Sequence, residues 1–328
     1  MTTRKPPLRP APLGIAFRTG RGSAIAHHGE IWQGLFVESN GRFRRALVTL
    51  PCPLWTSSAT FVPRADGRVV VTPAWKTKAQ RAGELALARA GHRRLGGRLT
   101  IHSRTPPRWG LGSSTSDVLA AIRAVLAATG APLPEAVIAE IAVQAETASD
   151  PIMFGRRAVL FAHQEGTVLE DFGGPLPELE VLGLNTDPTG AGVDTLTLIP
   201  PRYTGSELAT LQSLVKFLRQ AVHTRNLGLV GQVASASARI NQRYLPKLHF
   251  DRMEHLVACV AGLGLAVAHS GTVVGLLFDP ADAATPEKIR EARALLAEIG
   301  FAKSWRFRLV CPNVTAPFGG GKQIRQNV

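Results

Sequence analysis

Pro106-Pro107-Arg108-Trp109-Gly110-Leu111-Gly112-Ser113-Ser114-Thr115 lies between a β-rich run, 97–103, and an apolar-periodic segment that opens near Ser116. A Gly-rich segment at a strand-to-helix junction has chemical meaning. Glycines let backbone N–H groups approach an anion, and the positive end of the helix dipole favours negative charge. Gly110 and Gly112 supply that approach; Ser113, Ser114 and Thr115 place hydroxyls at the helix start, where one can also ligate Mg²⁺. In outline this is a triphosphate cradle. It is not a Walker loop, because no Gly-Lys-Ser or Gly-Lys-Thr stands at the required distance, and it is not a Gly-x-Gly-x-x-Gly dinucleotide fingerprint. Taken alone, it remains open to an ordinary strand-to-helix turn with serine caps.

Upstream, the runs 45–50, 57–62 and 68–72 are rich in Val, Thr and Phe and are separated by Gly, Pro and Asp, which predicts strands joined by turns. Downstream the period changes. Val118, Leu119, Ile122, Val125 and Leu126 share one helical face that Gly130 ends, and Pro134 opens a second helix carrying Val137, Ile138 and Ile141. The second half repeats the alternation: a strand at 179–185, a helix with Leu208, Leu211, Val215 and Leu218 on one face, and helical segments to about 262. A strand pair around 272–278 follows, then a helix capped by Thr285 with Pro286 at its first position, and a strand at 306–311. This non-repeating mixture predicts an α+β architecture in two lobes, 13–175 and 176–316, divided by the turn-rich stretch 172–178. Residues 1–12, basic and Pro-rich, are expected to be a flexible arm, and 317–328 a flexible tail.

Composition limits the classes. With 328 residues, 45% of them hydrophobic and 19% charged, the chain can bury a large core. No apolar run is long enough to span a bilayer and no secretory leader is visible, so the expectation is a cytoplasmic protein without a membrane partner. Cys52, Cys259 and Cys311 lack the paired spacing of metal or redox sites and read as reduced thiols. The net charge of +14 is dispersed, with no aromatic residues interleaved among the basic ones. That reads as a solvated surface rather than a nucleic-acid groove.

Wider matching sharpens the cradle. Pro-x-x-x-Gly-Leu-Gly-Ser-Ser at a strand–helix junction resembles the second signature motif of the GHMP kinases, which include galactose, homoserine, mevalonate and phosphomevalonate kinases. Gly29-Glu30-Ile31-Trp32-Gln33-Gly34 resembles the first motif in the form found in the cobalamin-pathway L-threonine kinases. Ala268-His269-Ser270-Gly271-Thr272 resembles the third motif of the same branch. Glu146-Thr147-Ala148-Ser149-Asp150-Pro151-Ile152-Met153-Phe154 is similar to its Glu-Pro-Thr-Asp-x-x-Met-Phe segment. His28 stands where that branch commonly has Cys, and the Pro of Glu-Pro-Thr-Asp is missing.

The resemblance implies a two-lobed GHMP kinase fold with the active site between the lobes, using ATP and Mg²⁺ to phosphorylate a hydroxyl on a small metabolite. It makes Gly110, Leu111, Gly112, Ser113, Ser114 and Thr115 the nucleotide loop and Asp150 the catalytic base or an orienting group. Ser114 and Glu146 would hold Mg²⁺, with Glu140 as a rival ligand. If its helix continues, Glu146 shares a face with Asp150. Glu30, Gln33, His269, Ser270 and Gly271 would meet the acceptor, Glu30 through an ammonium group. His27 and His28 are expected to take surface roles. Arg108 and Trp109 either cover the nucleotide or pack locally. The favoured acceptor is L-threonine or a related hydroxy-amino acid; homoserine, a sugar or another metabolite is the alternative. Outside enzymes, the alternative is an inactive protein of the same fold whose basic surface binds nucleic acid. A homodimer is compatible with the sequence, which does not set the oligomeric state.

Overall fold

The computed structural model describes residues 17–187 and 202–309. Its elements run β1 (Gly20–Val37), β2 (Phe43–Arg64), β3 (Val69–Thr72), α1 (Thr77–Arg89), β4 (Gly96–Ser103), α2 (Ser113–Thr129) and α3 (Glu135–Glu146). A 3₁₀ turn (Pro151–Phe154), β5 (Arg157–Ala162), β6 (Thr167–Pro175) and β7 (Leu179–Asn185) follow. The remainder is α4 (Gly205–Thr224), α5 (Leu227–Asn241), α6 (Phe250–Cys259), β8 (Gly264–Val267), β9 (Val273–Phe278), α7 (Thr285–Glu298) and β10 (Ser304–Leu309).

One sheet runs through the molecule in the order β10-β7-β9-β8-β1-β2-β4-β3, with β5 and β6 branching from β2. Pairings along it are antiparallel except β3 with β4. Between β1 and β8 the register holds a single pair, Glu30 opposite Val267, so the two halves of the sheet meet at the first-motif glutamate. The runs 45–50 and 57–62 are one strand, β2. Against β1 its register jumps between Ile25 and Ala26, and Pro53, which has no N–H to donate, sits in the resulting bulge. Further shifts between His27 and Glu30 and between Glu30 and Trp32 re-aim consecutive β1 side chains.

Helix α2 is buried on nearly every face: Val118, Leu119, Ala120, Ala121, Ile122, Ala124 and Val125 are all inaccessible, because α1 and α3 cover the side that the sheet does not. Gly130 ends it in a left-handed conformation, its N–H donating to the Leu126 carbonyl. A second core lies under α4 and α5 and includes Trp32, Leu160, Leu179 and Leu218, drawn from both sides of residue 175. A third packs α6 and α7 on β7, β8 and β9.

Several local expectations change. Helix α2 starts at Ser113, ahead of Ser116, which makes the serines its first turn. Thr285 is the first residue of α7 rather than its cap, and its hydroxyl donates instead to the Asp279 carbonyl. Of the stretch 172–178, residues 172–175 belong to β6, so the break before β7 is shorter than its composition suggested. Cys52 and Cys259 are free thiols. Cys311 and the expected arm and tail lie outside the described residues. Among the described residues no helix is long and apolar enough to cross a membrane.

Candidate active site

Gly112 precedes α2 with φ +66°, and a Cβ there would lie 2.2 Å from Cδ2 of His27. Gly110 and Gly271 meet backbone to backbone: a Cβ on Gly271 would sit 2.1 Å from the Trp109 carbonyl oxygen and 2.2 Å from Gly110 Cα. The Trp109 carbonyl also accepts from the N–H groups of Thr272 and Val273 at 3.0 and 3.2 Å. The loop after β8 is therefore bonded to the loop before α2. Leu111 buries its side chain with Ala268 and Val273, while its carbonyl accepts from His27 N–H, so it can offer a ligand only backbone. Trp109 stacks on Trp305 with ring centres 5.6 Å apart, so one face of its ring is taken by local packing.

Ser113 and Ser114 line a cleft of about 1070 Å³ with Trp75, Lys76, Arg104 and Asp117. Lys76 pairs with Asp117, whose other oxygen accepts from Ser57 at 2.7 Å. Neither residue was singled out from sequence, although Asp117 lies one turn beyond Ser113 on the same face, a spacing that could have been read.

Thr115 turns away from that cleft. Its Oγ1 stands 2.9 Å from Glu146 Oε1 and 3.0 Å from Asp150 Oδ2, one proton between two carboxylates. Helix α3 stops at Glu146, with Thr147 at φ +76°, so the two carboxylates do not share a helix face as expected; they meet because both approach Thr115. Burial pushes the Glu146 carboxyl up to about 7, against the hydrogen bond from Thr115 and the nearby Ser114 hydroxyl. Among the described residues it forms no ion pair. A buried carboxylate held back from ionising, beside the Ser114 hydroxyl, has the chemistry of a site for a hard, oxygen-liganded cation. Glu140 is instead exposed and paired with Arg89.

His27 and His28, expected at the surface, are buried. His28 packs against the rings of Trp305 and Phe307. His27 places Nε2 3.0 Å from Asp150 Oδ2 and Nδ1 3.6 Å from Glu30 Oε1. Burial opposes its charge, but the two carboxylates prevail and raise it to about 9. Burial would likewise raise Asp150; the His27 charge and hydrogen bond outweigh it and hold the carboxyl at about 2. Glu30, pushed up to about 7 by burial, accepts from Thr49 at 2.7 Å through Oε2, while Oε1 is buried without a hydrogen bond. His27, Glu30 and Asp150 offer atoms within 4.8 Å of one another, a metal-like spacing, but the protonated imidazole already supplies the positive charge.

On the far side, Gln33 Oε1 is 2.6 Å from His269 Nδ1, and the Gln33 backbone is fastened to α5 by Ser237 and Asn241. Ser270 is half-buried on the same loop as His269 and Gly271. His163 stands edge-on to His269 at 5.3 Å, and Lys247 Nζ donates to the His269 carbonyl at 3.2 Å. Neither His163 nor Lys247 carries a sequence signal, since each reaches the site only through chain folding.

Residues 77–155 match the GHMP kinases N terminal domain. The chain is 32% identical over 184 residues to an L-threonine kinase of Citrobacter freundii, covering 56% of this chain and 62% of that protein. It is 30% identical over 208 residues to an L-threonine kinase of Salmonella typhimurium, covering 63% and 67%. The homoserine kinase of Cytophaga hutchinsonii superposes with a TM-score of 0.66 at 14% identity, over 92% of this chain and 97% of that one. That likeness shows a common two-lobed α+β fold.

Proposed function

The chain belongs to the GHMP kinase family, and on that premise we propose that it transfers the γ-phosphate of ATP to the hydroxyl of a small metabolite, with L-threonine or a related hydroxy-amino acid as the acceptor. The observation that carries this reading is the arrangement at the α2 N-terminus, where Asp150 accepts from Thr115 and pairs with His27, and the His27 ring packs against Gly112. The matched L-threonine kinases support the choice of acceptor.

Phosphoryl transfer asks the protein mainly for position and charge. The first-turn N–H groups of α2 and the hydroxyls of Ser113 and Ser114 would bind the phosphates in the cleft that they line. Ser114 and Glu146 would hold Mg²⁺, which when bound neutralises charge on the phosphates. Asp150 accepts a hydrogen bond from the acceptor hydroxyl and aligns its oxygen with phosphorus. As the new P–O bond forms and the bond to ADP breaks, that hydroxyl becomes strongly acidic. A carboxylate held ionised by His27 can then take the proton even though its own pKa is about 2. Glu30, through Oε1, which faces His27 but accepts no hydrogen bond, would receive the ammonium group, and the Gln33–His269 pair would border the acceptor.

The test is ADP release by the purified protein with Mg-ATP and L-threonine, L-serine, L-homoserine, mevalonate or galactose. Turnover with L-threonine or another hydroxy-amino acid is expected. Turnover confined to galactose or mevalonate would replace the acceptor, and silence with all five would overturn the reading.

A further inference from the structure

Lys247 is 6% exposed, yet among the described residues its ammonium meets one partner, the His269 carbonyl, and so uses one of three N–H donors. Arg45 buries Nη2, and among the described residues that nitrogen has no hydrogen-bond partner. Neither cation forms an ion pair with a carboxylate of the described residues. Burying a charge without an opposite charge or a full set of hydrogen bonds is costly, so a buried ammonium and a buried guanidinium nitrogen call for an anion.

They converge on the acceptor wall. Arg45 pairs with Leu35 across β1 and β2, so its side chain leaves the sheet on the face that carries Gln33. The charges of Lys247 and Arg45 both act on the His269 ring, whose Nδ1 is held by Gln33, and that of Arg45 acts on His163 as well. The acids nearby, Asp150 and Glu30, both face His27, and among the described residues neither pairs with Lys247 or Arg45. Both imidazoles are kept neutral, His163 pushed down to about 4 and His269 to about 3, first by burial, so neither balances nor adds to the charge. Burial likewise lowers Lys247, to about 8, with no acidic neighbour opposing it.

We infer that Lys247 and Arg45 form an anion subsite in the acceptor wall, and that the acceptor is a metabolite carrying a carboxylate as well as its hydroxyl. This rests on the kinase reading and extends it. Glu30 at one end and Lys247 with Arg45 at the other would clasp a zwitterion by both charges, which a neutral sugar cannot satisfy.

The experiment compares L-threonine with L-threonine amide, which keeps the shape and loses the negative charge, on the full chain and on Lys247→Met and Lys247→Arg. Methionine matches the length of lysine and adds no charge, so packing is preserved. In the Mg-ATP assay, kcat/KM should fall about 30-fold or more from acid to amide in the unaltered protein. Lys247→Met should lose a similar factor on the acid but little on the amide, and Lys247→Arg should recover part of it. Equal turnover of acid and amide, or an equal loss on both in Lys247→Met, overturns the subsite. A second readout needs no phosphoryl transfer: thermal denaturation without ATP. A rise in Tm with L-threonine alone, absent in Lys247→Met, supports the subsite even if no acceptor turns over. An equal rise with the amide, or none with either, overturns it.

Discussion

The proposed nucleotide loop between β4 and α2 is written in one stretch, 106–115, whereas the proposed acceptor wall collects its groups from distant parts of the chain. Glu30 and Gln33 come from β1, Asp150 from the residue before the 3₁₀ turn, Lys247 from the link between α5 and α6, and His269 from the link between β8 and β9. The loop acts through backbone shape and a helix end, and a contiguous segment can supply both. The wall acts through charges that balance one another: His27 holds Asp150 ionised, Thr49 holds one oxygen of Glu30, and Gln33 holds His269. Damage to the loop should therefore act through geometry, and damage to the wall through ionisation.

The strongest way to break this contrast is Asp150→Asn, which removes the carboxylate and keeps the shape. On the proposed role kcat should fall by about 10³–10⁴ with ATP affinity retained; single-turnover kinetics beside nucleotide titration would measure both, and an unchanged kcat removes Asp150 from the chemistry. Gly112→Ala tests the loop. With φ at +66° and His27 2.2 Å from the new Cβ, kcat/KM for Mg-ATP should drop about 10²-fold. A variant with ordinary kinetics would show that the loop tolerates displacement.

Ser114→Ala should weaken use of Mg-ATP about 10-fold, partly recovered at high Mg²⁺. A loss that no Mg²⁺ concentration relieves would assign the hydroxyl to phosphate alone.

His27→Gln tests ionisation directly. His27 holds Asp150 at about 2, so the unaltered protein should show no acid limb from this group near neutral pH. Without that positive charge, burial dominates and raises the Asp150 pKa, and activity should be lost on the acid side at a pH about 1–3 units higher. A profile that does not move means that Asp150 is held ionised by something else. The smallest effect is expected for Thr49→Val, which strips the hydrogen bond from a buried oxygen of Glu30 and should lower stability by about 1–3 kcal/mol in denaturant melts.

Legibility followed the same division. Helix α2, its stop at Gly130, and the apolar faces of α3 and α4 could be read because helical periodicity repeats within a few residues. Strand β1, with only a few residues between register shifts, offers no clean alternation, and the first motif was visible in it only as a resemblance. Helix α1 and strands β5 and β6 were not anticipated at all; α1 has separate polar and apolar faces, but its buried side is mostly alanine with Leu87 its one large side chain. The histidines were misjudged for a different reason. A His-His pair looks solvated in a sequence, and nothing local to residues 27 and 28 shows that Asp150 will meet one of them and Trp305 the other.

The sequence by itself determined the α+β class and the Gly-rich strand-to-helix junction, because each is a local matter of φ/ψ preference or hydrophobic period. Only the tertiary structure decided which charges are balanced and which are left over. Burial and neighbours set the state of His27, Asp150, Glu30, Glu146 and Lys247, and both come from chain segments brought together by a sheet whose order is not the order of the sequence.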